Sequence, residues 1–210
     1  MANRIAILIS GRGSNMVALI DACRCGEIDA TPFVISNRAD AAGLDRARER
    51  GVEAIVIPSR GISRDEHEKQ IISKLHSRQA DVVCLAGYMR LLGPSLVNEF
   101  RGRILNIHPS LLPAFPGLDA QRQALEYGVK FSGCTVHFVD DGLDSGPIIL
   151  QAVVPVYDDD FEETLASRIL SQEHKLYKEA VNIVLSGKYR IEGRRVIRDN
   201  RGVDFSPRKT

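Results

Sequence analysis

The chain predicts an α/β fold, a doubly wound and mostly parallel sheet with an antiparallel C-terminal part. Three observations predict it. Strand-like runs alternate with helix-like runs from the N-terminus to His108. Those strands are apolar throughout, as strands covered on both faces are. After residue 130 the pattern changes to longer strand-like segments separated by a loop.

Arg4 to Ile9 reads as the first strand and ends in Ser-Gly-Arg-Gly-Ser-Asn, residues 10–15. A helix follows with Val17 and Ile20 in register. Pro32 to Ser36 is a second strand and Ala41 to Arg50 a second helix. Ala54 to Ile57 is a third strand, and Asp65 to Arg78 a polar-faced helix on which His67 and His76 read as surface. Asp81 to Ala86 is a fourth strand, buried on both faces. Arg103 to His108 is a fifth, stopped by Pro109, which cannot donate to a ladder. Ser132 to Val139 and Pro147 to Val156 read as antiparallel strands. A long helix from about Phe161 to Ser186 ends at Gly187. Around Glu192 and Gly193 a hairpin is expected, then a polar, frayed tail. Residues 1–187 form the expected main domain, with halves 1–100 and 101–187, and residues 188–210 the hairpin and tail.

The 210 residues suffice for one sizeable domain and a small appendage. A net charge of +1 creates no global field favouring nucleic acid or an anionic membrane. No apolar run of transmembrane length and no signal peptide is read, so the cytoplasm, or an organelle, is expected. Cys23, Cys25, Cys84 and Cys134 form no Cys-x-x-Cys unit and read as free thiols. No metal ligand set is expected.

The fifth strand carries the chemistry. Side chains alternate along a strand, so Asn106 and His108 share one face and Leu105 and Ile107 the other. In open α/β sheets ligands bind at the carboxyl ends of strands. An amide and an imidazole there suit a carbonyl oxygen as it becomes an oxyanion. Asp144, in the turn-like stretch Val139–Pro147, would hold His108 cationic if it folds back on it; spacing does not establish that contact. Asp140 and Asp141 read as solvated turn residues.

The Gly11–Asn15 stretch joins the first strand to the first helix. It has two readings: a phosphate cradle of mononucleotide size, or a glycine turn capped by Ser14. Met16 stands where a Rossmann-like dinucleotide fingerprint needs glycine. On the long helix, period 3.6 puts Glu173 on the apolar stripe of Leu165, Ile169, Leu176, Ala180 and Val184. An inward charge needs a partner, and a ligand amine and a buried arginine are the candidates. His137 and His174 read as structural or hydrogen-bonding residues. Residues 88–92, Tyr-Met-Arg-Leu-Leu, read as a helix start or as an apolar wall for a flat heterocycle.

These residues together resemble the glycinamide ribonucleotide formyltransferases, folate-dependent enzymes of purine synthesis. The resemblance runs from about Arg4 to Gly187. It rests on residues 10–15, on Leu-Ala-Gly-Tyr-Met-Arg-Leu-Leu (85–92), on Leu-Asn-Ile-His-Pro-Ser-Leu-Leu-Pro-Ala-Phe-Pro-Gly (105–117), on Leu-Asp-Ser-Gly-Pro-Ile-Ile (143–149) and on Gln-Glu-His (172–174). It implies the formyltransferase fold and formyl transfer from 10-formyltetrahydrofolate, as co-substrate, to glycinamide ribonucleotide. It implies catalysis by Asn106, His108 and Asp144. It implies nucleotide binding by Gly13, Ser14, Asn15, Arg64 and Glu173, and folate contacts from Met89, Arg90, Leu92, Val139, Asp140 and Leu143. It further implies a cis peptide before Pro113. Asp119 and Ser145 depart from residues common in bacterial members. No metal, nucleic acid or membrane is expected as a partner, and the chain is expected to be a monomer or homodimer.

Three other readings compete. Formyltetrahydrofolate deformylase uses a similar domain with water as acceptor, but normally carries an N-terminal regulatory domain for which a strand starting at Arg4 leaves no room. Methionyl-tRNA formyltransferase needs a longer C-terminal part. A non-catalytic nucleotide-binding module would use only the glycine loop and predicts no role for Asn106 or His108.

Overall fold

The computed structural model describes residues 2–199, so the expected polar tail, 200–210, lies outside the described residues. Nine strands form one sheet in the order β3-β2-β1-β4-β5-β6-β7-β9-β8. The elements are β1 (Asn3–Ile9), α1 (Ser14–Arg24), β2 (Ala30–Ser36), α2 (Ala42–Arg48), β3 (Ala54–Val56), α3 (Arg64–Ser77), β4 (Val82–Leu85), α4 (Pro94–Glu99) and β5 (Ile104–His108), followed by α5 (Ala120–Tyr127), β6 (Phe131–Phe138), β7 (Ile148–Pro155), α6 (Glu162–Ser186), β8 (Tyr189–Glu192) and β9 (Arg195–Arg198).

Strands β1 to β5 pair in parallel, and β6 and β7 add antiparallel. Their residues send alternate side chains to opposite faces. Ile5, Ile7, Ile9, Leu105 and Ile107 join a core with α1 and α6, while Ala6, Leu8, Val83, Leu85 and Ile104 join a second core with α3 and α4. Two cores explain why these strands read as continuous apolar runs. The α6 stripe is buried as expected, and Gly187, left-handed at φ 64, ends the helix. Removing such a side chain, as in Ile169→Ala, costs about 2–5 kcal/mol. The hairpin turns at Gly193 and extends the sheet, with Arg195 on β9 paired to Ile148 on β7.

The helix start read at residues 88–92 falls later, at Pro94, where α4 begins, and α5 is a helix that the sequence reading does not place. Both are short, at 6 and 8 residues. The first begins at Gly93-Pro94; the second, whose own residues 120–127 hold neither proline nor glycine, follows the Pro116-Gly117 turn.

The chain leaves β1 toward β2 and β3, then returns to place β4 on the other side of β1. Reversals of this kind open a crevice at the carboxyl ends of the two central strands. The loops that leave β1, β4 and β5 all emerge at this edge.

Candidate active site

Strand β5 carries Asn106 and His108 to the carboxyl edge of the sheet. Pro109 ends the ladder, and the chain turns through a cis Leu112–Pro113 bond. Side chains of β6 and β7 hold this turn from the side. Thr135 Oγ1 donates to the Ser110 carbonyl (2.7 Å) and accepts from the Leu112 N–H (3.0 Å), and Gln151 Nε2 donates to the Leu112 carbonyl (2.8 Å).

Asp144 folds back on this edge. Its Oδ2 lies 3.4 Å from His108 Nδ1 and accepts the Gly117 N–H at 2.8 Å. Its Oδ1 lies 3.4 Å from Asn106 Nδ2. The contact that spacing left open is therefore made. The His108 and Asp144 side chains are only 6% and 10% exposed, so water screens the pair poorly. His108 Nε2 reaches the Phe115 carbonyl at 2.8 Å. An imidazole facing an acceptor at each nitrogen donates to both only as the imidazolium. Burial would raise the Asp144 carboxyl, but hydrogen bonds from His137 and the Gly117 amide, with the His108 charge, outweigh it and hold it below the ordinary carboxylate range.

His137 is the residue that sequence reading undervalued. Its place on β6 is directly opposite Asn106 on β5. Its Nδ1 donates to the Phe138 carbonyl at 2.8 Å, and its Nε2 faces both Asn106 Nδ2 at 3.2 Å and Asp144 Oδ1 at 3.6 Å. The readable signal was the β5–β6 pairing, since antiparallel neighbours set His137 and Asn106 side by side.

The glycine loop forms the second part of the site. Gly13 is left-handed at φ 69 and is itself the N-cap of α1; Ser14 lies one residue inside the helix and does not cap it. The Ser14 cap expected in the plainer reading is thus corrected, because the turn needs a positive φ at residue 13. Asn15 Nδ2 donates to Glu173 Oε2 at 2.7 Å. The partner of Glu173 within the chain is thus Asn15 and not the buried arginine. Glu173 is 7% exposed, and burial raises its carboxyl above the usual range although the Asn15 bond lowers it. Asn15 Oδ1 is buried and has no hydrogen-bond partner among the described residues. Arg64 starts α3 and is exposed, with no hydrogen bond or ion pair among the described residues.

The third part is an apolar rim. Met89 is 70% exposed and Leu143 56%, on loops that follow β4 and β6, while Leu92 and Val139 are half-buried against the α3–α4 core. Residues 88–92 form a loop, not a helix start, and α4 begins at Pro94. Arg90 is half-buried beside them. Asp140 is half-buried and closes its own loop, accepting from Ser145 Oγ (2.6 Å) and the Gly142 N–H (3.1 Å). Asp141 is exposed and pairs with Arg101.

The formyl transferase family model matches residues 3–181. This chain belongs to the formyl transferase family. It is 47% identical over 189 residues to phosphoribosylglycinamide formyltransferase of Escherichia coli K12, covering 89% of each chain. The crystal structure of glycinamide ribonucleotide transformylase 1 from Symbiobacterium toebii superposes with a TM-score of 0.92 at 53% identity, over 94% of each chain. A formyltetrahydrofolate deformylase from Pseudomonas syringae pv. tomato shares the fold at TM-score 0.88 and 27% identity, over 94% of this chain and 66% of that one.

Within this formyl transferase, the histidine readings divide. His76 is half-exposed and pairs with Glu99. His67 is 1% exposed, with Nε2 bonded to the Ile57 carbonyl at 2.8 Å, so its surface assignment is corrected. The polar-looking face of α3 is in fact used inward, because Glu68 is also buried and accepts the Gly93 N–H. His174 is half-buried. All four cysteines are free thiols, and burial pushes the Cys23 thiol up to about 11 and the Cys134 thiol up to about 12. Among the described residues, no group of three or more His, Cys, Asp or Glu is placed to hold a metal ion. No helix among them is long and apolar enough to cross a membrane.

Proposed function

We propose that this formyl transferase moves the formyl group of 10-formyltetrahydrofolate to the amine of glycinamide ribonucleotide, giving N-formylglycinamide ribonucleotide and tetrahydrofolate. The observation that carries the reading is the buried meeting of Asn106, His108 and Asp144 at the carboxyl edge of the sheet. Two distinct surfaces flank it: a polar loop ending in the Asn15–Glu173 pair and an apolar rim around Met89 and Leu143.

The substrate amine attacks the formyl carbon, and the carbonyl π electrons move to oxygen. Asn106 donates to that oxyanion. Its present bonds, at 3.2 and 3.4 Å, are long and are cheaply exchanged for a charged acceptor. His108, which faces the same Asp144 carboxylate as Asn106, is the charged donor to that oxyanion. Asp144, held ionised beside His108, relays the proton lost by the amine toward the folate nitrogen. Collapse of the adduct restores the carbonyl and expels that nitrogen. The reading needs no metal.

The nucleotide phosphate sits on the N–H groups from Gly13 to Asn15 at the start of α1, where the helix dipole favours an anion. Arg64 assists from the start of α3. The buried Glu173 carboxylate meets the ribose and glycinamide part. Met89, Arg90, Leu92, Val139, Asp140 and Leu143 receive the folate ring. Residues 1–100 thus supply most of the nucleotide surface, and residues 101–187 supply the catalytic groups and part of the folate surface.

A spectroscopic assay of tetrahydrofolate formation, with and without glycinamide ribonucleotide, tests the proposal. Turnover only with the nucleotide supports it. Equal turnover without the nucleotide replaces it with a deformylase, which uses water as acceptor on the same fold.

A further inference from the structure

Ser10 is 5% exposed and stands immediately before the glycine loop. Its backbone N–H donates to the Gly87 carbonyl at 3.0 Å. Its hydroxyl donates to Asn37 Oδ1 at 2.6 Å and accepts the Met89 N–H at 2.8 Å. Asn37, 8% exposed, passes the chain on: its Nδ2 donates to Ser59 Oγ at 3.2 Å. One hydrogen-bonded line therefore crosses the loops after β4, β1, β2 and β3. The direction is set by stoichiometry. A serine has one O–H, which goes to Asn37, so its lone pair is what remains for Met89. Polar chains of this kind, away from water, polarise one another and lock geometry.

Loop 87–93 is pinned at its other end by Glu68, which accepts the Gly93 N–H. The backbone is clamped at both ends while Met89 and Leu91 point outward, 70% and 64% exposed. The clamp nearer the glycine loop is one residue, Ser10, through its backbone N–H at Gly87 and its hydroxyl at Met89.

We infer that Ser10 is a positioning residue shared by the two substrate surfaces, coupling occupation of the glycine loop to the placement of the Met89 loop. The inference rests on the assignment of those two surfaces under the proposed function. Anion binding at Gly11–Asn15 holds the end of β1 still; Ser10 then fixes the Met89 N–H, and the folate surface is presented ready-made. Ser10 itself touches no reacting atom.

Calorimetry tests this with the full chain and two probes, tetrahydrofolate and glycinamide ribonucleotide, which together do not react. In the native chain the nucleotide tightens tetrahydrofolate binding about fivefold or more, a normal coupling between sites. In Ser10→Ala the ratio falls to near one, and Ser10→Thr, which keeps a hydroxyl, restores it. Asn37→Ala, which removes the acceptor without touching either loop's backbone, lowers the ratio in the same direction and carries the test should Ser10→Ala not fold. An unchanged ratio in Ser10→Ala or Asn37→Ala, or a ratio of one in the native chain, overturns the inference. Met89→Ala and Arg90→Ala separate the two levels. If they leave tetrahydrofolate affinity unchanged, the folate surface is misassigned and the inference falls with it. If they weaken it while Ser10→Ala keeps the native ratio, only the inference falls.

Discussion

Replacing Asp144 by Asn isolates the charge opposite His108. The variant keeps an oxygen to accept the Gly117 N–H, so the loop retains its anchor. What is lost is the attraction between carboxylate and imidazolium. Unit charges at the observed 3.4 Å attract by about 5 kcal/mol at an effective dielectric near 20. Part of that attraction offsets the cost of keeping two ions out of water, at 6% and 10% exposure. The remainder predicts a fall in kcat of about 10²–10³-fold, or about 2.7–4 kcal/mol. Initial-rate assays at saturating substrates measure it, with nucleotide affinity followed separately by calorimetry. A variant within fivefold of native kcat would refute the reasoning, because His108 would then need no carboxylate.

Other substitutions probe the rest of the site. Asn106→Ala removes one oxyanion donor and should lower kcat about 10²–10³-fold in the same assay, with little change in melting temperature. Glu173→Gln should weaken glycinamide ribonucleotide binding, read by calorimetry, while leaving the substrate-free protein as stable as before or more so at neutral pH. The sign follows from burial: the folded carboxyl sits above its unfolded value of 4.5, so the native chain loses stability as pH rises from that value through the folded one. Gln does not titrate, and denaturation across that window should show a flatter profile. Gly43→Ala would place a Cβ 2.5 Å from Ile9 Cδ1 and 3.0 Å from the Gly11 carbonyl, so thermal unfolding should occur at lower temperature and nucleotide affinity should drop together. Asp160→Asn breaks the bidentate bond to Arg168 and should lower the melting temperature without changing KM for either substrate.

The parallel half of the sheet was legible because burial on both faces leaves an unbroken apolar run, as in residues 82–85. Asn106 and His108 were legible because strand alternation needs no tertiary information. Glu173 was legible as an anomaly on a stripe, but its partner was not: Asn15 lies 158 residues away in the chain, and only packing of α1 on α6 joins them. His137 was undervalued for a related reason, since its role depends on strand pairing. His67 and Glu68 misled because a helix rich in charge reads as solvated, whereas here two polar side chains turn inward to satisfy backbone groups of Ile57 and Gly93. The Ser14 cap failed because residue identity favours serine at a cap while the local backbone demands a left-handed glycine.

The central claim is that His108, held between Asp144 and the Phe115 carbonyl, supplies charge to the reacting formyl oxygen. The most direct measurement is the kcat of His108→Ala beside its dissociation constant for glycinamide ribonucleotide. The account predicts a kcat at least about 10²-fold below native with the dissociation constant unchanged within a factor of about three. Native kcat in that variant would contradict it.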